Sequence, residues 1–355
     1  MTLKRGRAAT ILFAILITVC GLIGIEQGPS SSAAASLNFT TNGSQITDPD
    51  GNAFIPRGSN FNGPHFVWEP NPIGKSSTVQ DVWKMNTIRL DVALDRGTND
   101  YPHYNFGSSS DFDAIINEYT AKKIVVMLAQ FTLRAGSYPT AAELNELKGW
   151  WADKAAKYKD NPYVWFNLQN EPGENGWMLP PDDTWYSNHV AMSQAIRATG
   201  AQNVIVYDGA HFGQERAGGG NDQSAFLRWG TQLKAEFGNT VFSVHVYDRW
   251  DTAEQLGQFL ADVQGQGLPI IIGETGFPEQ WEAVDRGAGI RAGAIAAFQA
   301  ATERRVGLFS WHAQGGDNHN LVRGGPLDWV DSLTQPTNLT ELGQMQWDYL
   351  QELAR

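Results

Sequence analysis

Two short acidic motifs in different parts of the chain could carry out chemistry together. Glu171 lies in Asn170-Glu171-Pro172 and Glu274 lies in Gly273-Glu274-Thr275-Gly276, and each follows an apolar run typical of a buried strand. Two strands can bring such acids to one rim, where one carboxyl protonates a leaving oxygen and the other attacks an anomeric carbon about 5 Å away. A single glutamate after a strand often caps the next helix, but this pair indicates retaining cleavage of a glycosidic bond.

Further polar and aromatic side chains stand at the ends of other apolar runs. Arg89 follows Thr87-Ile88, and a guanidinium near a carboxylate keeps that carboxylate ionised. Asn170 is an amide that could bind a sugar 2-hydroxyl. His245 and Tyr247 alternate along one strand and so share a face, while the indole of Trp311 could form a floor for a sugar. We expect these side chains to surround the two glutamates.

Each of these residues also has a structural interpretation when it is taken alone. Arg89 alone would indicate a structural ion pair with Asp91, and His245 with Tyr247 would more often be part of the core. The case for a site depends on their occurrence together at strand ends.

Alternating apolar runs and amphipathic segments predict the framework that positions these side chains. The predicted strands are Ile55–Asn60, Thr87–Val92, Ile124–Gln130, Tyr163–Gln169, Val204–Asp208, Val241–Tyr247, Ile270–Glu274 and Val306–Trp311. The predicted helices are Ser77–Met85, Phe112–Lys122, Ala141–Lys159, Tyr186–Thr199, Ser224–Phe237, Ala253–Gln264, Ala288–Thr302 and Leu339–Leu353. Eight strands, each followed by a helix, predict an α/β fold, the (β/α)8 TIM barrel, whose chemistry lies at the C-terminal strand ends.

A small hairpin is predicted before the barrel. It spans Leu37–Phe54 and is expected to turn at Pro49-Asp50-Gly51-Asn52, since proline, aspartate and glycine favour turns.

The N-terminal segment has the pattern of an export signal. Lys4, Arg5 and Arg7 precede an apolar stretch from Ala8 to Ile25, and small residues end it at Ala33-Ala34-Ala35-Ser36. We therefore predict a signal peptide over residues 1–35, cleaved after Ala35, and a single secreted catalytic domain over 36–355. The alternative is a retained membrane anchor, but the apolar run is interrupted by polar residues and is short for a spanning helix.

Charge and cysteine content narrow the possible partners. The chain has a formal net charge of −12, and removal of the signal's +2 makes it −14, which argues against nucleic acid and anionic membranes. A neutral polysaccharide or oligosaccharide is compatible with this charge. Cys20 is the only cysteine and lies in the predicted signal, so the mature chain would have neither a disulfide nor a thiol nucleophile. A monomer is expected.

Motifs for other chemistries are weak. Gly218-Gly219-Gly220 lacks the lysine of a phosphate-binding loop, and a Gly-x-Ser-x-Gly hydrolase motif is absent. Asp208 with His211 and His245 could in principle hold a metal, but the seven histidines lack metal-ligand spacing. We expect neither a cofactor nor a metal.

Taken together, the chain resembles glycoside hydrolase family 5 over essentially its whole mature length. The residues that carry the resemblance are Arg89, Asn170-Glu171-Pro172, His245-Val246-Tyr247, Gly273-Glu274 and Trp311. The resemblance implies that Glu171 is the general acid/base and Glu274 the nucleophile. Within the family, the segments before Tyr247 and Glu274 look most like those of bacterial β-mannanases.

One position departs from the family pattern. The family usually has a histidine at the end of the third strand, and Gln130 is the residue aligned there in this chain. A glutamine can still bind a sugar hydroxyl but cannot carry charge.

From the resemblance, the first expectation is a secreted endo-β-1,4-glycanase acting on β-mannan. The alternatives are an endo-β-1,4-glucanase with the same machinery and a non-catalytic carbohydrate-binding barrel.

Overall fold

The computed structural model describes residues 38–63, 72–94, 109–173, 183–215, 223–279, 285–313, 319–323 and 336–355. The predicted signal peptide, residues 1–35, lies outside this part of the chain. Within the described residues, no helix combines the length and the hydropathy needed to cross a membrane.

A short hairpin opens the described chain. Strands β1 (Thr40–Asn42) and β2 (Gln45–Thr47) pair antiparallel, and the loop between them is Gly43-Ser44. Gly43 has a φ of 56°, which glycine adopts without steric strain. The predicted turn at Pro49–Asn52 also exists, but it joins β2 to an isolated bridge at Ala53 and does not connect the two strands. The predicted position of the hairpin turn was therefore wrong.

Eight parallel strands close into a barrel, as predicted. They are Arg57–Asn62 (β3), Thr87–Val92 (β4), Val125–Gln130 (β5), Val164–Asn167 (β6), Ile205–Asp208 (β7), Thr240–Val246 (β8), Ile270–Thr275 (β9) and Gly307–Ser310 (β10). Each strand pairs with its neighbours in the sequence, and β10 pairs with β3 to close the ring. The (β/α)8 TIM barrel is confirmed.

Helices follow the strands on the outside of the barrel. They are Ser109–Ala121 (α1), Ala141–Tyr158 (α2), Asp183–Arg197 (α3), Ala225–Phe237 (α4), Ala253–Gly265 (α5), Asp285–Arg304 (α6) and Glu341–Leu353 (α7). The predicted helix Ser77–Met85 is instead a π-helical turn over Thr78–Val82. It stops there because Lys84 adopts a φ of 62° and Asn86 already bonds to Arg57 at the start of β3.

Two apolar layers hold the barrel together. Large side chains between the strands and the helices form the outer layer. The inner layer fills the barrel with Val125, Met127, Trp165, Val206, Val241, Ile271 and Phe309, and the hairpin residues Phe39 and Ile46 pack against its lower end. Above this plug the side chains that face the axis become polar, at the C-terminal ends of the strands.

Candidate active site

A fully buried arginine lies at the centre of the polar layer. The guanidinium of Arg89 on β4 donates to Glu274 Oε1 at 2.6 Å and to Asp208 Oδ2 at 2.9 Å. It also donates to Asn60, Asn167 and Asn170, at 2.7–2.9 Å. A planar guanidinium has five N–H donors, and here each nitrogen has at least one acceptor. Arg89 therefore fixes the ends of four other strands, β3, β6, β7 and β9, relative to β4.

Glu274 lies on β9 and is 4 % exposed. A register shift between β8 and β9 places it opposite His245. Besides the bond from Arg89, its Oε2 accepts the hydroxyl of Tyr247 at 3.1 Å. Donors on both oxygens fix the direction of this carboxyl group. Sequence reasoning placed Arg89, Tyr247 and Glu274 together, and the structure brings them into contact.

Glu171 lies just after β6 in a different environment. Its backbone has a φ of 46°, and its carbonyl accepts Gly136 N at 2.7 Å, so the backbone fixes where the side chain starts. Its Oε1 contacts Nδ1 of His245 at 2.9 Å. Burial raises the pKa of Glu171 to about 6, the charge of Glu274 acts in the same direction, and the bond from His245 opposes both. This carboxyl therefore keeps a proton where ordinary glutamates have lost theirs.

The two carboxyl groups face each other across a short gap. One oxygen of Glu171, one of Glu274 and a ring nitrogen of His245 all lie within 4.8 Å of one another. Retaining glycosidases hold their carboxyl groups about 5–5.5 Å apart, whereas inverting enzymes need about 6.5–9.5 Å to admit water. The gap suits direct attack by one carboxylate on a sugar.

This cluster could geometrically hold a cation, but its protonation state does not fit a metal. Burial alone would lower the pKa of His245, yet the charges of Glu274 and Asp208 raise it to about 10. A protonated imidazole has no free lone pair to offer a metal. Glu274 already receives the Arg89 guanidinium at 2.6 Å. The described residues thus suit charge stabilisation better than metal binding.

Asp208 is part of this network, although sequence reasoning considered it only for a metal site. It ends β7, is fully buried, and contacts Arg89 at 2.9 Å, Asn167 at 2.9 Å and His245 at 3.3 Å. Burial alone would raise the pKa of Asp208, but the charges of Arg89 and His245 hold it well below its usual range. An aspartate after one strand carries no distinguishing sequence signal, which is why its role was missed.

The structure places Gln130, the predicted sugar-binding residue at the end of β5, beside Thr132. Its Oε1 accepts the backbone N–H and the hydroxyl of Thr132 at 2.9 and 2.6 Å, and its Nε2 is buried from solvent. Phe131 is instead the residue that reaches the polar layer, 5.4 Å over Arg89 and stacked on Trp311 at 5.8 Å. Successive strand residues face opposite sides, so Gln130 and Phe131 point in opposite directions.

Trp311 and Asn170 lie at the same rim. Trp311 follows β10, stacks on Phe131 and His312, and is joined to His312 by a cis peptide bond. Asn170 precedes Glu171 and accepts the Arg89 guanidinium at 2.9 Å. The arrangement therefore joins paired acids, fixed cations and an aromatic wall at the open end of the barrel.

Comparison with known proteins agrees with this geometry. The sequence model of Cellulase (glycosyl hydrolase family 5) matches residues 47–317. The chain therefore belongs to glycosyl hydrolase family 5, and it is a glycoside hydrolase.

Several proteins show the same relationship over nearly the whole chain. A mannan endo-1,4-beta-mannosidase of Streptomyces lividans is 25 % identical over 94 % of this chain and 79 % of its own length. One of Cellvibrio japonicus is 24 % identical over 87 % and 68 %. The crystal structure of a beta-mannanase from Streptomyces thermolilacinus with mannohexaose superposes with a TM-score of 0.65 at 22 % identity, covering 89 % of this chain and 95 % of that one. This superposition confirms the barrel fold.

Proposed function

We propose that the protein is a secreted, retaining endo-β-1,4-glycanase that cleaves β-mannan by double displacement. Glu274 is the nucleophile and Glu171 is the general acid/base. The substrate and the two acids are bound or oriented by Arg89, Asn170, His245, Tyr247 and Trp311. One observation carries the proposal: an oxygen of Glu171, an oxygen of Glu274 and a ring nitrogen of His245 lie within 4.8 Å of one another, while the two carboxyl groups have unequal surroundings.

The first step breaks the glycosidic bond. Glu171 gives its proton to the bridging oxygen, the bond between that oxygen and the anomeric carbon breaks, and a carboxylate oxygen of Glu274 bonds to the anomeric carbon. Arg89 and Tyr247 hold the Glu274 carboxylate in place for this attack. The protonated His245 beside Glu171 stabilises the carboxylate that remains when the proton has left.

The second step releases the sugar. Glu274 is now an ester and has lost its charge, so the pKa of Glu171 falls and its carboxylate can take a proton from water. The water oxygen bonds to the anomeric carbon while the ester bond to Glu274 breaks. The two inversions retain the anomeric configuration.

Support for mannan comes from the relatives. The curated relatives from two bacteria act, by their names, on 1,4-linked β-mannan. The family model that matches this chain is described as Cellulase. The second candidate is therefore an endo-β-1,4-glucanase with the same two glutamates. Secretion rests on the basic, apolar and small-residue pattern of the first 35 residues.

A direct test is product analysis on defined manno- and cello-oligosaccharides, with NMR of the first product. We expect mannan chains to be cut internally and the first product to keep the β-configuration. Preferential cleavage of cello-oligosaccharides would favour the glucanase, whereas an α-configured first product would overturn double displacement. Binding without turnover on mannan, cellulose and xylan would indicate the carbohydrate-binding barrel.

A further inference from the structure

We propose that Asp208 is a positioning residue for this double displacement, holding the cations of Arg89 and His245 in place so that the acid proton stays on Glu171. The inference rests on the proposed function. It concerns a residue that touches neither the scissile bond nor the substrate, and that acts through four neighbouring groups.

The geometry gives Asp208 an unusual number of partners from different strands. Oδ2 contacts Arg89 Nη2 at 2.9 Å, His245 Nε2 at 3.3 Å and the backbone N–H of Glu171 at 3.3 Å. Oδ1 accepts the amide of Asn167 at 2.9 Å, and that amide also accepts Arg89 Nε at 2.8 Å. One carboxylate oxygen therefore joins β4, β8 and the segment that carries the acid.

Burial of the Asp208 charge costs desolvation free energy unless nearby cations and hydrogen-bond donors compensate it. The side chains of Asp208, Arg89 and His245 are all 0 % exposed. A buried ion pair is often no more stable than apolar residues of similar volume, so stability alone is weak grounds for its presence. Asp208 is compensated on both oxygens, and its two cationic partners are also the partners of Glu274 and Glu171.

The charges of the cluster balance in one protonation state. Arg89 and protonated His245 supply two positive charges, and Asp208 and Glu274 supply two negative charges. With Glu171 protonated, the set is neutral, which is the state required for acid catalysis. The titratable or charged groups that face this set are Arg89 and Asp91 on β4, His189 on α3, His245 on β8, Tyr247 and Arg249 just after β8, and Glu274 on β9.

Removal of the Asp208 charge should lower the pKa of Glu171. The negative charge of Asp208 is one of the causes that raise the pKa of Glu171. Without it, the surplus positive charge of Arg89 and His245 favours the ionised form of Glu171. Glu171 then loses its proton at lower pH. Arg89 and His245, which contact Glu274 and Glu171, also lose the ion pair that each makes with Asp208.

The variant Asp208→Asn tests this, because the amide keeps the shape of the side chain and removes its charge. On a soluble β-1,4-manno-oligosaccharide, we expect the alkaline limb of kcat/KM to move to lower pH by about one unit. The maximum of kcat should fall about 10²-fold, because the cations shift. A limb that does not move, or that moves to higher pH, would overturn the proposal.

Glu215→Gln is the matched control. Glu215 is also a buried carboxylate in the loop after β7, but its oxygens accept the backbone N–H groups of Ala210 at 2.7 Å and Phe226 at 3.0 Å. It faces α4 and does not contact the cluster. We expect this variant to keep the alkaline limb of the wild type even if it is less stable. The same limb shift in both variants would show a general effect of loop damage and count against Asp208.

A measurement on the wild-type protein keeps the inference testable if Asp208→Asn does not fold. In ¹⁵N-histidine NMR, we expect His245 to carry protons on both ring nitrogens from pH 5 to pH 8. A neutral His245 ring at pH 6 would overturn the proposal. This spectrum is recorded without substrate, so it tests the Asp208 proposal independently of activity. A wild-type protein inactive on every glycan would contradict the proposed function, whatever the His245 spectrum shows.

Discussion

Two identical side chains receive different chemical properties from their neighbours in this barrel. Glu274 accepts hydrogen bonds from Arg89 and Tyr247. Among the described residues, Glu171 has one such partner, His245, and its mostly buried side chain lies near a second negative charge. A pair of carboxyls with unequal surroundings is the arrangement that lets one act as base or nucleophile and the other as acid.

Replacing the nucleophile should stop the reaction. We expect Glu274→Ala to lower turnover on the order of 10⁵-fold, because the glycosyl-enzyme ester cannot form. Arg89 keeps its bond to Asp208, so the fold should persist by circular dichroism. Added azide should restore part of the turnover and give an inverted product. The control is Glu303→Ala at an exposed position on α6, which should behave as wild type. Near-normal activity of Glu274→Ala would exclude Glu274 as the nucleophile.

Replacing the acid should change the pH profile. The pKa of Glu171 is raised to about 6, so the protonated acid is present below that pH and is lost as the pH rises through it. Wild-type kcat/KM on oligosaccharides should therefore fall on the alkaline side near pH 6. We expect Glu171→Gln to remove this limb and to slow oligosaccharides far more than activated aryl glycosides. Equal slowing of both substrates would move the acid role to another residue.

The sequence indicated most residues of the cluster but not all of their contacts. The two glutamates, His245 and Tyr247 could be predicted because each lies at or near the end of an apolar run, and Arg89 because it interrupts one. The hydrogen bonds that Gln130 accepts from Thr132 could not be read from the apolar run of β5. The importance of Asp208 depends on partners from three other strands, and no local pattern encodes those contacts.

At the level of elements, the apolar runs predicted every barrel strand to within two residues of its ends. Helices were predicted to within three residues, apart from the segment that forms the π-helical turn at Thr78–Val82. That segment is too short for a helix, because Lys84 reverses the chain and Asn86 is held by its bonds to Ile55 and Arg57. Such long-range bonds decide the conformation of short connections more than local propensity does.

The connection between β7 and α4 should make stability depend on pH. Burial raises the pKa of Glu215 to about 7, against an ordinary value of 4.5. The folded state therefore takes up a proton, so this contribution to stability is complete below pH 4.5 and is lost as the pH rises through 7. The loss is on the order of 3 kcal/mol.

Glu215→Gln should remove that dependence. We expect the free energy of unfolding to change less between pH 4.5 and pH 7.5 in this variant than in wild type, as measured by urea denaturation at both values. Glu215 also accepts the Ser224 hydroxyl at the start of α4, so some loss of stability at every pH is expected. A wild-type protein equally stable at both pH values would contradict the assignment.

At the scale of the whole molecule, the two ends of the barrel have separate tasks. The polar cluster lies at the C-terminal strand ends, and the hairpin closes the other end. Phe39 is 1 % exposed and packs edge-on against Phe54, Tyr163 and Trp165, with ring centroids 4.9–5.4 Å apart. The sequence predicted the hairpin, but its strands are too short for alternation to reveal which side chains enter the barrel.

This division predicts a stability change without a catalytic change. We expect Phe39→Ala to lower the free energy of unfolding by about 3–5 kcal/mol, as for other buried aromatic truncations. At temperatures where the variant remains folded, kcat and KM should equal those of wild type. Ile73→Ala, at a side chain 39 % exposed, is the control and should lose little stability. A large change in kcat for Phe39→Ala would show that the two ends are coupled.

The buried cluster of Arg89, Asp208 and His245 also bears on how this protein could be engineered. Dehydrated charges contribute little to stability, and apolar residues of matching volume are often equal or better. A single substitution here would leave a partner charge buried and unpaired. A library screened only for heat resistance would therefore be expected to enrich combined apolar replacements of the cluster, and these would yield stable but inactive barrels. Screens that score residual turnover after heating would instead direct improvements to the hairpin end and the outer helices, where thermal tolerance can rise without disturbing the acids.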